Sequence, residues 1–144
     1  MTGYSQDAAT ALDAQECWTL VAGTRVARLA VSVGGAPDIY PVTVRAVGDV
    51  LGFRTVPGTK LASLVTNARV ALEWDEVTPD AAWSVVVRGT ARRLETAREV
   101  AALGPPDGDD ALVPFVDVPT EEWVRVEPQD VSGRRFRRRP DGMA

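Results

Sequence analysis

The sequence predicts a mainly β fold, an antiparallel barrel decorated by short helices. Three observations carry that expectation. Six segments have β patterning and are punctuated by turn residues. The connections between them are too short for repeated strand–helix–strand crossovers, which disfavours a parallel, doubly wound sheet. There is also no GxGxxG fingerprint, no Walker motif and no internal repeat.

The elements follow in order. Residues 1–11 are small and polar and read as a flexible N-terminal arm. A helix is expected over 14–22, because Asp13 and Glu16 form a capping-box pattern, with Leu12 and Cys17 at the staple positions and Gly23 as a stop. In "RVARLAVSV" (25–33), Ala27, Leu29, Val31 and Val33 alternate with Arg28, Ala30 and Ser32, which is a strand with period two. "GGAP" turns the chain. "DIYPVTVRAV" (38–47) is a β-branched strand in which Pro41 marks an edge or a bulge. Gly48-Asp49 is a tight hairpin turn into "VLGFRT" (50–55).

After Pro57-Gly58, Leu61, Leu64 and Val65 have helical spacing. "RVALEW" (69–74) is the fourth strand. "WSVVVRGTARRL" (83–94) is the fifth, with Gly89 as a bulge. Thr96 caps a short helix in "AREVAAL". "GPPDGDDALVPFVDVP" is a long loop, of the kind more often functional than idle. "EWVRVEP" (122–128) is the last strand, and residues 137–144 read as a flexible basic tail behind one domain spanning 12–136.

Composition bounds the chemistry. The 144 residues are 45% hydrophobic and 25% charged, which suits one globular domain with a real core. The net charge of −4 argues against a general nucleic-acid binder. No apolar run approaches the roughly 18 residues of a membrane span, and the N-terminus lacks a secretory pattern, so a cytoplasmic protein is expected. Cys17 is the sole cysteine and excludes an internal disulfide; it reads as a small buried apolar residue. Histidine is absent, which excludes a Ser-His-Asp triad and His-ligated zinc or haem. Chemistry here must rest on a bound cofactor or on Arg, Lys, Tyr and carboxylate groups.

The corner "FRTVPGTKL" (53–61) gathers Arg54, Thr55, Thr59 and Lys60 around a Pro-Gly turn and a helix start. Free N–H groups and the positive dipole end of a helix attract anions, Arg adds a planar fork, and Lys adds a point charge. Spacing alone leaves two readings open: a capped helix with solvated cations, or a phosphate site.

Four blocks bear on that choice: "RVARLAVSVGGAPDIYPV" (25–42), "GFRTVPGTKLASL" (52–64), "WSVVVRGTARRLE" (83–95) and "WVRVEPQDVSGRRF" (123–136). In this order they resemble the flavin-binding split-barrel family that contains pyridoxamine 5′-phosphate oxidase. The likeness is closer still to small actinobacterial members of the flavin/deazaflavin oxidoreductase group.

The resemblance implies a six-stranded antiparallel split barrel that forms a homodimer, with FMN in a groove between subunits. It implies that Arg54 and Thr55 contact the flavin and that Thr59 and Lys60 hold its phosphate. Val42, Thr43 and Val44 would present backbone groups to the ring. Ser84 would reach the cofactor of the partner subunit, beside Trp83, and Trp123 and Arg125 would lie near the same groove. The implied activity is a flavin-dependent oxidoreductase acting on a small planar molecule, with NAD(P)H or a protein partner as electron donor. The alternatives are a reductase using deazaflavin (coenzyme F-420) on the same fold, and a flavin-binding protein without turnover. Two departures stand out: Thr43 replaces a frequent Asn, and Arg45 is an unusual cation. The His-Arg signature for pyridoxal phosphate is missing, which disfavours a vitamin-forming oxidase.

Overall fold

The computed structural model describes residues 4–55, 68–103 and 122–138. Strand β1 (Tyr4–Leu12) leads into helix α1 (Ala14–Ala22). Strands β2 (Val26–Val33), β3 (Ala36–Val47) and β4 (Val50–Thr55) form a meander. Then come β5 (Ala68–Val77), β6 (Ala81–Arg93), helix α2 (Ala97–Ala101) and β7 (Glu122–Arg138). Every pairing is antiparallel, in the order β1-β7-β4-β3-β2-β5-β6, and β6 also pairs with β7. That last pairing closes β7, β4, β3, β2, β5 and β6 into a six-stranded ring. β1 is a seventh strand, laid against the far half of β7.

The meander has the turns its sequence requires. Gly34 and Gly35 both take positive φ, 59° and 81°, the conformation of a type I′ hairpin turn, and Gly48 takes 61°. Pro41 lies where β3 pairs with β2 alone, since β4 pairs only residues 44–47 of β3. The capping box forms as expected: Asp13 Oδ1 accepts from the Glu16 N–H at 2.8 Å, and Glu16 Oε1 accepts from the Asp13 N–H at 3.3 Å. α1 packs on β3, β6 and β7 through buried Cys17 and Val21.

Alternation fills the barrel. Leu29, Leu51, Phe53, Leu72, Trp74, Val85, Val87, Val124 and Val126 are fully buried or within 1% of it, and they come from five different strands of the ring. Burying side chains of this size contributes about 1.5–3 kcal/mol each, which is what makes the closed ring stable. The residues between them therefore face outward, and the candidate site lies on that outer face.

Three expectations need correction. The stretch read as a flexible arm is strand β1 from Tyr4, pairing with β7 from Gly133 to Arg138. The last strand does not stop at 128, and the Arg-rich stretch read as a tail is strand through Arg138. Neither segment alternates in hydrophobicity, because each gains its order from backbone ladders to distant neighbours rather than from a buried face. The bulge expected at Gly89 is present, but the extra residue is Gln129 on β7: Arg88 pairs with Asp130 and Gly89 with Pro128. Gly89 serves a different need, since a Cβ there would lie 2.2 Å from the Glu127 carbonyl oxygen. Among the described residues no helix is long and apolar enough to cross a membrane.

Candidate functional site

The register places a row of cations on the outer face. Arg45 on β3 pairs with Gly52 on β4, Gly52 with Arg125 on β7, and Arg125 with Arg92 on β6. Direct cross-strand partners share a face, so these side chains project together. One row further along, Arg54 pairs with Trp123, and its guanidinium carbon lies 5.3 Å from the indole centroid. That is cation–π distance, and it orients the planar fork. Phe53 and Val124, the residues between the two rows, point into the core.

Carboxylates partner part of this charge. Arg125 Nη2 lies 3.1 Å from Glu127 Oε2, and Arg93 Nη1 lies 3.4 Å from Glu122 Oε1. Arg92 Nη1 lies 2.6 Å from Glu99 Oε2, and this hydrogen bond holds the Glu99 carboxyl below its ordinary range. The same pair ties α2 to β6, and within the helix the Glu99 N–H donates to the capping Thr96 hydroxyl at 3.1 Å. Just beyond α2, Leu103 is 2% exposed and covers Gly52, where a Cβ would come within 2.5 Å of Leu103 Cδ1. A cavity of about 420 Å³ opens between α2 and the start of β7, lined among others by Arg93, Leu94, Val100, Glu122 and Trp123.

The expected site residues separate into groups. Arg54, Trp123, Arg125 and half-buried Thr43 share the outer face of adjacent strands. Val42 and Val44 turn their side chains into the core, and the Val44 N–H donates to the Arg25 carbonyl at 2.7 Å. Thr55 is buried, with its hydroxyl donating to the Glu122 carbonyl at 3.5 Å. Thr59, Lys60 and the helix expected after Pro57-Gly58 lie outside the described residues. Trp83 packs against the core, while Ser84 faces the other way, paired with Asp75 on β5 and Arg134 on β7. Eight residues of β6 separate Ser84 from Arg92, about 26 Å along an extended strand.

Near Ser84 stands a cluster that sequence reasoning missed. Arg28 Nη1 lies 3.4 Å from both Glu73 Oε1 and Asp75 Oδ2. Partial burial, then the neighbouring Asp75, pushes the Glu73 carboxyl up to about 7, against a smaller opposing pull from Arg28. The alternation of "ALEWDE" signalled it, since Glu73 and Asp75 must share one face of a strand. Gly52 and Leu103 were also missed; a glycine inside a β pattern was the signal for a close approach.

A closed, six-stranded antiparallel ring with short helices packed on it places the chain among the split-barrel proteins. The chain belongs to the pyridoxamine 5′-phosphate oxidase family, whose sequence profile matches residues 13–135. A solved FAD binding protein from Mycobacterium smegmatis is 34% identical, covers 89% of this chain and 98% of its own, and superposes with a TM-score of 0.78. A Corynebacterium glutamicum protein provisionally assigned as a pyridoxamine 5′-phosphate oxidase is 30% identical over 94% of this chain and 96% of its own, also at 0.78. An uncharacterised Mycobacterium tuberculosis protein is 35% identical over 89 residues, 62% of this chain and 77% of that protein.

Proposed function

We propose that the protein is a flavin-dependent oxidoreductase that binds FMN or FAD on the outer face of the barrel. The observation that carries this reading is the Arg54–Trp123 stack, set one row from Arg45 and Arg125. These residues fit a planar, anionic group, because the arginine row attracts a phosphate and the outer face admits a flat ring. The family membership and the FAD-binding M. smegmatis relative support the same choice.

In this reading Arg54 is the fork for the phosphate, joined by Thr59 and Lys60, and Trp123 holds that fork in place. Thr43 and Arg125 line the approach to the ring. When bound, the flavin supplies hydride or electron transfer, so a chain without histidine needs no protein nucleophile. NAD(P)H or a protein partner is the electron donor, and a small planar molecule is the substrate.

Ser84 and Arg54 stand near opposite ends of the barrel strands, so both reach one ligand only if they come from different protomers. A homodimer with two grooves meets that condition. A second reading keeps the fold and takes deazaflavin coenzyme F-420, whose acidic tail would find four outer-face arginines: Arg45, Arg54, Arg92 and Arg125.

The test is a visible spectrum of the purified protein, followed by titration. An oxidised-flavin band that bleaches with NAD(P)H is expected. A colourless protein that quenches deazaflavin fluorescence and ignores flavins supports the second reading. A yellow protein that no donor reduces is a carrier without turnover.

A further inference from the structure

A groove on the outer wall of the barrel lies away from the proposed flavin site. Its volume is about 320 Å³, at the lower end of the range for small-ligand sites, roughly 300–1,000 Å³. It runs over β2, β5 and β6, and Gln129 on β7 forms one rim. Arg88 at its edge and Arg92 in the arginine row are about 13 Å apart along β6.

The register explains the hollow. Ala30 pairs with Ala71, and Ala71 with Arg88, so two methyl groups lie side by side on the floor. The next outward-facing row along β2 and β5 carries Arg28 and Glu73 instead, which rise above that floor. The bulge beside Arg88 supplies the rim: the extra residue, Gln129, reaches back over β6, and its Nε2 donates to the Thr90 hydroxyl at 3.0 Å.

Positive charge gathers on one side of the floor. Arg69 pairs with Thr90, and Arg88 stands one outward position along β6, so the two arginines are diagonal neighbours about 7–8 Å apart. Arg69 meets no carboxylate among the described residues. Arg88 Nη1 lies 3.4 Å from Asp130 Oδ2, but the side chains are 60% and 61% exposed, and such a surface pair contributes little. A ligand anion can therefore draw on both guanidinium groups, each a planar fork matched to a carboxylate. An apolar floor beside two forks fits a molecule with an acid group at one end and a flat, uncharged body.

We propose that this groove is a second ligand site that takes a small organic carboxylate, its acid group between Arg69 and Arg88 and its apolar body on Ala30 and Ala71. The flavin reading and this inference share no residue, so each stands or falls alone.

The test is a nuclear magnetic resonance titration of the nitrogen-15-labelled protein, carrying whatever flavin it retains on purification, with benzoate, benzamide and acetate. Benzoate is expected to shift the Ala30, Ala71 and Gly89 amides saturably, with a Kd on the order of 1 mM. Benzamide has the same shape without the charge and should bind at least about tenfold more weakly. Acetate has the charge without the ring and should also lose at least about tenfold. Arg69→Gln should weaken benzoate by about tenfold or more and leave benzamide unchanged. Ala71→Leu, whose side chain faces outward, fills the floor and should abolish binding of both ring probes while the amide spectrum elsewhere stays native. Equal affinity for benzoate and benzamide, or no loss in Arg69→Gln, overturns the arginine clamp and the proposal with it. Equal affinity for benzoate and acetate overturns the apolar floor. Shifts at the same three amides that grow with protein concentration and need no probe mean that a second copy or its acidic side chains cover the groove, which also overturns the proposal.

Discussion

Arg54 and Trp123 face each other across the β4–β7 ladder, with the guanidinium carbon 5.3 Å from the indole centroid. A cation held over a ring at a partly exposed site contributes only about 0.5–1 kcal/mol to folding. A charge-assisted hydrogen bond to a bound phosphate contributes about 1.5–3 kcal/mol. Arg54→Met keeps the aliphatic stem and removes the fork. It should lower stability by less than about 1 kcal/mol in urea unfolding and weaken flavin binding by roughly 10- to 100-fold in fluorescence titration. Unchanged affinity in a folded variant would detach this residue from the ligand.

Gly89 and Gly34 allow a matched comparison of two reasons for glycine. At Gly89 a Cβ would meet the Glu127 carbonyl oxygen at 2.2 Å and the carbonyl carbon at 2.9 Å, backbone that cannot swing aside. At Gly34 nothing lies within 4 Å, and the demand comes only from φ at +59°. Gly34→Ala should cost about 1–2 kcal/mol, the penalty of a left-handed residue. Gly89→Ala must separate β6 from β7, the pairing that closes the ring, and should cost more than about 3 kcal/mol or abolish soluble expression. Thermal melts of the two variants side by side decide this. Similar melting temperatures would mean that the ring opens easily at that point.

Stability should depend on pH through Glu73. Its folded carboxyl titrates at about 7, raised by burial and by Asp75 from an ordinary 4.5. A raised folded value means that folding favours the protonated form. The contribution is then fully present below about 4.5 and fades as the pH climbs through 7. Glu73→Gln mimics the protonated group and should flatten the melting temperature between those limits, with its largest benefit over the unaltered protein above pH 7. The groups facing Glu73 are Arg28 on β2 and Asp75 on β5, so Asp75→Asn should reduce the same slope. A slope untouched by either change would place the proton elsewhere.

What was legible in the sequence was local. The Asp13–Glu16 box, the Gly34-Gly35 turn and the limits of β4 depend on residues within a few positions of one another, and all three appear as expected. The strands β1 and the outer half of β7 depend on each other across more than 120 positions, and composition carries no trace of such a pairing. The site divides the same way. Arg54 was visible as a strand-end cation before a turn. Its contact with Trp123 needed the β4–β7 register, and the outward turn of Ser84 away from Trp83 needed the pleat. Thr55 shares a face with Leu51 and Phe53 by the two-residue period, so its burial could have been read from the pattern, whereas its hydrogen bond to the Glu122 carbonyl needed the β4–β7 register.

Gly133 offers a test of packing at the crossing of α1, β1, β6 and β7. A Cβ there would lie 2.7 Å from Cys17 Sγ, 3.1 Å from the Ser84 carbonyl oxygen and 3.2 Å from Leu12 Cδ1. Cys17 is fully buried, and burial, then Asp13 and Glu16, raises its thiol, so it acts as a filler and not a nucleophile. Gly133→Ala alone should cost about 1–3 kcal/mol from overpacking. Cys17→Ala alone should cost on the order of 1 kcal/mol, from the space left where the sulfur was. Together they exchange one atom for another at nearly the same point, so the double variant should lose at least about 0.5 kcal/mol less than the sum of the two. Urea unfolding of all four proteins measures that coupling. Strict additivity would mean that the obstacle at Gly133 is the Ser84 carbonyl, which no change at Cys17 can relieve.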